Sequence, residues 1–508
     1  MRLPFPERIP IVPVCYFAGI LCVIQLLEKT DGVFALCCLA FILVAAVAFN
    51  LAGGLAKPSG AYVFFFATLT LIVGLCCKAV LGEPADSNLQ SPRLTISIYL
   101  ADICGILAAV LISRKLATKK AILKDLVTDA NMQRATVGCM ITGFLIFFAG
   151  FIPHPEGEGS GTVLSALNQI NQFFPLAIVL GTIHTIRRSG GTRSINLPVL
   201  ISILFSFGLG LYGFSKQGII APLVCWLIAA CSQRYEVTKT QIAAGFFVAF
   251  LVLHYLVPFA QYGRSYREET AGANLDVVIS LLSNLDEVRA GYLATSNLDP
   301  ELDVVFYNYY DKSQGILDRL QMIAMDDALI THKNETSSFV GILPLVQSFE
   351  NFVPHFIWKD KPAVNYGNMY AHEIGLLADE DTSTGVSFSA VAESYILMGW
   401  PSVVLVAPVV WILLFTVFDS LCGDVRKFPL GLIVIVLFAH TAPEGALGGL
   451  IYTIGYVTFG IVFTAVTATY VMPIIGTLVV GPEGIAIRRG APIRSIPNRL
   501  RPATPPKI

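Results

Sequence analysis

Apolar runs of about 20 residues recur along almost the whole chain, and this feature most constrains its fold. A run of that length can cross the hydrocarbon core of a bilayer as one α-helix. Backbone groups in lipid must bond within the protein, and these runs are far too long for barrel strands. Only 14% of the 508 residues are charged and the mean hydropathy is +0.69, whereas soluble domains carry about 25% charged residues. The sequence therefore predicts an all-α polytopic membrane protein.

We predict about 12 transmembrane helices, nine before a long polar stretch and three after it. The chain then has four regions: an N-terminal transmembrane bundle, a large extracytoplasmic, mostly helical loop, C-terminal transmembrane helices and a basic cytoplasmic tail. These regions are residues 1–260, 261–386, 387–472 and 473–508. The predicted spans are residues 9–27, 32–54, 60–81, 94–113, 135–152, 164–186, 197–214, 218–231, 241–259, 389–418, 430–450 and 451–472.

Lysine and arginine are concentrated in alternate loops, and this predicts an orientation. Basic residues occur in the loops at 114–134, 187–193, 234–239 and 426–427 and in the tail, while the intervening loops are nearly free of them. With 12 spans, all these basic segments fall on one side of the membrane. We therefore expect cytoplasmic N- and C-termini and a large loop on the opposite, outer side. The tail is rich in proline and arginine, and we expect it to be disordered.

The polar stretch from 262 to 386 is acidic, with 8 Lys plus Arg against 19 Asp plus Glu. Its apolar residues at 277–288 and at 316–324 recur at helical spacing, which predicts at least two loop helices. The acidic pair Asp326 and Asp327 lacks the spacing of a calcium loop, and we expect no metal. The 11 cysteines lie in or beside apolar runs without zinc spacing. The net charge of −1 suggests no nucleic-acid partner, and no nucleotide or hydrolase motif is present, so we expect no cofactor.

Basic residues stand out in this acidic setting as candidate phosphate ligands. Arg264 and Arg267 follow the ninth predicted span, and an arginine fork matches phosphate oxygens. The alternative is that they snorkel to the interface or pair with neighbouring glutamates. Lys216, which joins two apolar runs on the same side, either snorkels or binds phosphate. Two arginines on predicted loop helices can bind substrate or form ordinary surface pairs, namely Arg289 and Arg319.

Three residues are candidates for a general base. Glu393 lies near the outer end of the tenth predicted span, where a carboxylate needs a compensating arginine or a water-filled site. It can act as a base or hold an arginine in place. His372 titrates near neutral pH, as a general base requires. His440 lies with Glu444 in a span broken by proline and glycine, which is typical of backbone lining a cavity.

Two further ionisable residues fall inside predicted spans. Lys78 and Asp102 lie toward the outer ends of consecutive spans. An isolated charge is costly in lipid, so we expect them to form a structural ion pair.

Three motifs stand out between about Gly213 and Gly460. The first is SKQG at residues 215–218, a short basic turn between two predicted spans. The second is PHFIWKDKP at 354–362, near the end of the large loop. The third runs from Thr384 to Val403 and contains Glu393 followed by an aromatic residue and glycine. Together they resemble motifs of the O-antigen polymerase (Wzy-like) family of oligosaccharide repeat-unit polymerases. His355 stands where the family often has arginine, and Pro401 where it frequently has glycine.

The resemblance implies a metal-independent, inverting glycosyltransferase of the bacterial cytoplasmic membrane. Its substrate would be a polyprenyl-pyrophosphate-linked oligosaccharide, and the growing glycan would pass to the next lipid-linked unit. Glu393, His372 or His440 would take the acceptor proton, and the basic residues would stabilise the leaving pyrophosphate. The resemblance also places Lys361 and Tyr395 among the substrate-binding residues. Implied partners are membrane lipid and other polysaccharide-assembly proteins, such as a flippase or a chain-length regulator.

Three other functions are compatible with the sequence. A glycan ligase would use the same donor but move the finished polymer to another acceptor. A transporter or flippase for lipid-linked sugar often shows internal repeats, and no repeat is visible here. A structural scaffold would leave the arginines of the loop dispensable.

Overall fold

The described part of the chain is built from helices, as the sequence predicts. No strand is formed within it, and an isolated bridge joins Arg2 to Glu236. The all-α prediction is therefore confirmed for this part of the chain. The computed structural model describes residues 1–124, 126–149, 171–268, 271–296, 307–312, 314–353, 357–358, 361, 364–378, 380–382 and 384–480.

The helices before the polar stretch coincide closely with the predicted spans. They are mostly apolar. In chain order they are α1 (Ile11–Leu27), α2 (Gly32–Ala52), α3 (Pro58–Leu81), α4 (Pro92–Leu116), α5 (Asp129–Ala149), α6 (Phe173–Arg188), α7 (Leu197–Tyr212), α8 (Lys216–Ser232) and α9 (Lys239–Tyr266).

The polar stretch also contains helices, but neither predicted loop helix forms as one element. Residues 316–324 divide between a 3-10 turn that ends at Arg319 and a helix that begins at Ile323. The pattern at 277–288 predicts one helix, but Asn284 interrupts it and two helices result. Their apolar residues still pack together, in one cluster with Phe214 and Phe259. The helices of the stretch are α10 (Ala271–Ser283), α11 (Leu285–Ser296), a 3-10 turn (Gly315–Arg319), α12 (Ile323–Thr336), α13 (Leu343–Glu350) and α14 (Tyr366–Glu373).

The C-terminal helices complete the bundle. They are α15 (Ala390–Met398), α16 (Ser402–Cys422), α17 (Leu432–Glu444), α18 (Leu447–Tyr470) and α19 (Met472–Val480). Seven helices in the described ranges are long and apolar enough to cross a membrane, namely α2, α3, α4, α5, α9, α16 and α18. A polytopic membrane protein is therefore supported, and α1, α7, α8 and α17 are shorter apolar helices.

An aromatic cluster joins the N-terminal and C-terminal helices into one core. Tyr62 on α3 accepts a hydrogen bond of 3.1 Å from the indole of Trp411 on α16. The ring of Tyr62 also meets Phe415 and Phe438 edge-on, each at 5.4 Å between centroids. Edge-to-face pairs of this kind add to the energy of burial. This core fixes α16 and α17, and so the turns that follow them.

The tenth predicted span is wrong as a single helix. Gly399 adopts a φ of 70°, which glycine tolerates and other residues avoid, and it ends α15. The backbone N–H of Met398 then donates to the Ser402 hydroxyl, and α16 begins there. Glu393 therefore lies on a short separate helix, before the membrane-spanning segment.

The boundary between the last two spans also differs from the prediction. The predicted boundary falls between residues 450 and 451, but in the structure α18 already begins at Leu447. The chain leaves helical geometry at Gly445 and Ala446, whose ψ angles are 109° and 160°. This short turn between α17 and α18 is central to the candidate site.

The first residues of the predicted tail are ordered, contrary to the expectation of disorder. They form α19, which packs on α5. A Cβ atom on Gly138 would lie 1.9 Å from the Met472 carbonyl oxygen, and one on Gly476 would lie 2.1 Å from that of Arg134. The two glycines thus allow close backbone contact. Residues 481–508 lie outside the described part of the chain.

The predicted ion pair between Lys78 and Asp102 is wrong. The Lys78 ammonium bonds to Glu83 at 2.8 Å and to the Ser87 hydroxyl at 2.6 Å, in the turn after its own helix. Asp102 instead accepts a hydrogen bond of 2.8 Å from Ser394 on α15. A local partner in the polar turn satisfies Lys78, and Asp102 helps fix α15.

Candidate functional site

The start of α8 presents Lys216 at a helix N-terminus. Phe214 has a φ of 48°, which turns the chain sharply after α7. The Ser215 hydroxyl then accepts a hydrogen bond of 3.0 Å from the Gly218 N–H and caps the helix. Lys216 is the first helical residue, so its ammonium adds to the positive end of the helix dipole. The SKQG motif is thus a capped helix start that favours an anion.

Arg264 is held beside this helix start by a backbone contact. Its Nε–H donates a hydrogen bond of 3.2 Å to the Phe214 carbonyl oxygen. Gly263 makes the approach possible, because a Cβ atom there would lie 2.2 Å from the Phe214 ring. The bond uses one N–H of the guanidinium, and no other hydrogen bond links Arg264 to the described residues. Its remaining N–H groups are available to a ligand.

Arg319, at the end of the 3-10 turn, lies within electrostatic range of the same two residues. Its charge acts on both Lys216 and Arg264. We call Lys216, Arg264 and Arg319 the cationic triad. Across the described ranges none of the three forms an ion pair with an acidic side chain. Burial and the two arginine charges oppose a charge on Lys216, so the arrangement is suited to an anion that compensates all three groups.

Glu444 and His440 lie next to the cationic triad. The Glu444 carboxylate acts electrostatically on Lys216. His440 Nδ1 is 3.6 Å from Glu444 Oε2, one helical turn apart on α17, and both side chains are partly exposed. A base-capable imidazole is thus paired with a carboxylate that lies within electrostatic range of Lys216.

Glu393 is hydrogen-bonded to the backbone just after the α17–α18 turn. The residue is only 2% exposed, and its Oε2 accepts a hydrogen bond of 2.7 Å from the Gly448 N–H. The Leu447 backbone also bonds to the carboxylate, but burial dominates and raises the pKa of Glu393 to about 7. Glu393 thus caps the start of α18. This geometry favours the positioning role over the role of a base.

The remaining predicted site residues are not brought into the triad by any contact. His372 Nε2 bonds to the Asp381 carbonyl oxygen at 2.8 Å, and Lys361 Nζ donates to the Val353 carbonyl oxygen at 2.9 Å. The Tyr395 hydroxyl donates to Asn334 at 2.8 Å. Arg267 is exposed beyond the end of α9, and Arg289 is half-buried on α11. The motif residues 354–356, 359–360 and 362 lie outside the described residues.

Sequence reasoning missed the structural role of Asp326 and Asp327. Both are buried, and each accepts hydrogen bonds that join α12 to the start of another helix. Asp327 accepts hydrogen bonds from the Gln90 N–H at 2.5 Å and the Thr95 hydroxyl at 2.6 Å, at the start of α4. Asp326 accepts from the Ser389 N–H at 3.0 Å, at the start of α15. Both aspartates lie inside α12, so their contacts with the starts of other helices depend on tertiary packing and leave no local sequence signal.

Burial of these carboxylates changes their acidity. Burial raises the pKa of Asp326 to about 6, although the hydrogen bonds from Ser389 and Tyr99 oppose that shift. The pKa of Asp327 is also raised by burial, against the bond from Thr95. Among the described residues no cluster of His, Cys, Asp and Glu could hold a metal ion. The hydrogen bonds of the two aspartates hold α12 against the starts of α4 and α15.

The chain matches no protein-family model, no curated protein and no solved structure.

Proposed function

We propose that the protein is a membrane glycosyltransferase that polymerises polyprenyl-pyrophosphate-linked oligosaccharide repeat units. The observation that carries the proposal is the convergence of Lys216, Arg264 and Arg319, which lie far apart in sequence, at a helix N-terminus. A pyrophosphate is a compact, multiply charged anion, and arginine binds its oxygens in pairs. The resemblance of SKQG and of the Glu393 motif to O-antigen polymerases supports the same substrate.

The cationic triad would stabilise the leaving group. An acceptor sugar hydroxyl attacks the anomeric carbon of the donor sugar, and the bond from that carbon to the pyrophosphate oxygen breaks. Negative charge grows on the leaving pyrophosphate, where Lys216, Arg264 and Arg319 oppose it. Such preorganised charge is often the largest single contribution to catalysis. Attack opposite the leaving group inverts the anomeric configuration, and no metal is required.

His440 is the base that the geometry favours. It adjoins the triad through Glu444, which can orient the imidazole and stabilise it once it is protonated. The nitrogen that faces away from Glu444, Nε2, would take the acceptor proton. Glu393 then acts as a positioning residue, because its bond to Gly448 fixes the turn that follows Glu444.

The proposed topology follows the basic loops. We place 12 spans in the bacterial cytoplasmic membrane, with α1, α6, α7, α8 and α17 added to the seven long helices. The N- and C-termini are cytoplasmic, and the 261–386 loop and the triad lie on the outer side. Lipid-linked units would reach the triad from the outer leaflet, delivered by a flippase.

The test is gel analysis of lipid-linked glycan from cells that lack this chain and are complemented with variants. We expect Arg264→Ala/Arg319→Ala to accumulate single repeat units, as the null does, while the wild type makes a ladder. Lys312→Ala, an exposed lysine of the same loop, is the matched control and should give the wild-type ladder. Membrane levels of each protein are compared by immunoblot.

Three other outcomes would contradict the proposal. Long chains that stay on the lipid carrier in the null would indicate a ligase. An unchanged ladder with failed export would indicate a transporter. A wild-type ladder from the double arginine variant would remove the triad from the reaction.

A further inference from the structure

The segment around α13 is apolar on two sides although it belongs to the polar stretch. One side faces the protein, where Pro344, Leu345 and Ser348 are buried. The other side is open, and Val346 and Phe349 are 43% and 54% exposed there. Ile342 and Leu343 extend this open stripe at helical spacing. A helix in a water-exposed loop would carry polar residues on that side.

The buried side of α13 packs along α18. A Cβ atom on Gly448 would lie 2.6 Å from the Ser348 hydroxyl, at the first turn of α18. The Phe352 ring lies against Gly455, where a Cβ atom would be 2.2 Å from the ring. Gly455 is eight residues into α18, or about 12 Å along a helix at 1.5 Å per residue. The chain from 348 to 352 therefore runs along the span and not across its end.

The first turn of α18 is on the loop side of the bundle. Glu393, which follows the polar stretch directly, bonds to Gly448 in that turn. Movement from Gly448 to Gly455 is therefore movement away from the loop and into the depth occupied by lipid chains. The hydrocarbon core of a bilayer is about 30 Å thick, so a point about 12 Å along the span lies within one leaflet.

Eight residues after Val353 the chain is again close to it. Lys361 Nζ donates to the Val353 carbonyl oxygen at 2.9 Å. Trp358, between the two in sequence, is 39% exposed. Tryptophan and lysine are typical of the membrane–water interface. An apolar helix that runs along the span and is followed by these residues has the composition of a re-entrant segment.

We propose that residues 342–353 form a re-entrant segment whose open side contacts lipid acyl chains in the leaflet on the loop side. The large polar stretch is then partly embedded and not wholly extracytoplasmic. Lipid is favoured as the occupant because the buried side of the same segment reaches the middle of one leaflet. This inference is independent of the proposed glycosyl transfer, since it depends only on the packing of α13 on α18.

The test measures the access of a water-soluble reagent to single introduced cysteines. Val346→Cys and Phe349→Cys are compared with Glu335→Cys, an exposed position on α12 in the same polar stretch. The full-length proteins are placed in lipid nanodiscs and treated with a polyethylene-glycol maleimide, and the wild-type chain gives the background of its 11 cysteines. Labelling after solubilisation in sodium dodecyl sulfate shows that each thiol is present.

We expect Val346→Cys and Phe349→Cys to label at least about tenfold more slowly than Glu335→Cys, because the reagent does not enter the hydrocarbon core. Equal labelling rates would place the segment in water and overturn the proposal. Slow labelling together with a Val346→Cys dimer on treatment with a short bis-maleimide would show that a second copy covers this face, and would also overturn it. Size-exclusion profiles matching the wild type confirm that each variant is folded.

Discussion

The Nε–H of Arg264 donates a hydrogen bond of 3.2 Å to the carbonyl oxygen of Phe214, 50 residues earlier in the chain. This bond joins the end of α9 to the turn between α7 and α8. It fixes the guanidinium beside Lys216 and turns two separate basic residues into one centre. Arg319 then completes the centre from the polar stretch.

Removal of a triad charge should lower turnover. We expect Arg264→Ala or Arg319→Ala to lower the rate of polymer formation by about 10²–10³-fold, the usual effect of losing one charge-stabilising group. Arg264→Lys should recover little of this loss, since lysine lacks the planar fork that pairs with phosphate oxygens. The measurement is the initial rate with purified protein and lipid-linked repeat units. Wild-type rates in Arg319→Ala would show that two charges suffice.

The assignment of the general base can be tested by substituting His440, Glu393 and His372 one at a time. We expect His440→Ala to lower kcat by about 10²–10⁴-fold with little change in KM, as for loss of a general base. Glu393→Gln should retain most activity, because an amide oxygen can still accept the Gly448 N–H. If His372→Ala abolishes turnover and His440→Ala does not, the base is His372 and the geometric argument fails.

The buried Glu393 should make stability depend on pH. Its pKa is about 7 in the folded protein, above the usual 4.5, so the folded state keeps a proton that the unfolded state has released. Stability relative to Glu393→Gln is therefore greatest below about pH 4.5 and falls as pH rises toward 7, by about 3 kcal/mol in all. Thermal unfolding midpoints of both proteins in detergent from pH 4 to 8 measure this. If the unfolding midpoints of the two proteins change with pH in the same way, the pKa of Glu393 is not raised in the folded protein.

Loss of the Asp327 carboxylate should loosen α12 from α4. Asp327→Ala leaves the Gln90 N–H and the Thr95 hydroxyl without their acceptor, and loss of a helix cap costs about 1–2 kcal/mol. Asp327→Asn keeps one acceptor oxygen and is the matched control. We expect a lower unfolding midpoint and faster proteolysis within residues 323–336 for the alanine variant. Equal midpoints for the two variants would argue against the cap.

The contact between Phe352 and Gly455 predicts a position-specific effect of a single methyl group. Gly455→Ala would force the Phe352 ring away, whereas Gly449→Ala, which has no atom within 4 Å of its Cβ, should be nearly neutral. A Phe352→Ala substitution in the Gly455→Ala background removes the clash. We expect Gly455→Ala to lower the unfolding midpoint. The decrease for the double variant should be smaller than the sum of the decreases for the two single variants. Additive losses would show that the ring and the glycine do not touch.

The membrane class and the helices were predictable from sequence because apolar length and helical periodicity are local properties. Of the site, the sequence could nominate Lys216, Arg264 and Arg319 by residue type alone. It could not distinguish Arg319 from Arg289, since both occur on helical segments of the same acidic stretch. It also placed Lys78 opposite Asp102, because spacing along two spans does not reveal a nearer partner in a turn.

By itself, the sequence determined that the chain is helical, apolar enough for a membrane and interrupted by one long acidic stretch. Only the tertiary structure decided that Lys216, Arg264 and Arg319 converge, that Glu393 caps α18 and that α13 packs along that helix. The physical reason is that these relations depend on backbone contacts between distant segments. Every peptide unit carries a carbonyl oxygen, and all but those of proline carry an N–H. Folding alone selects the Phe214 carbonyl as the partner of Arg264 and the Gly448 N–H as the partner of Glu393.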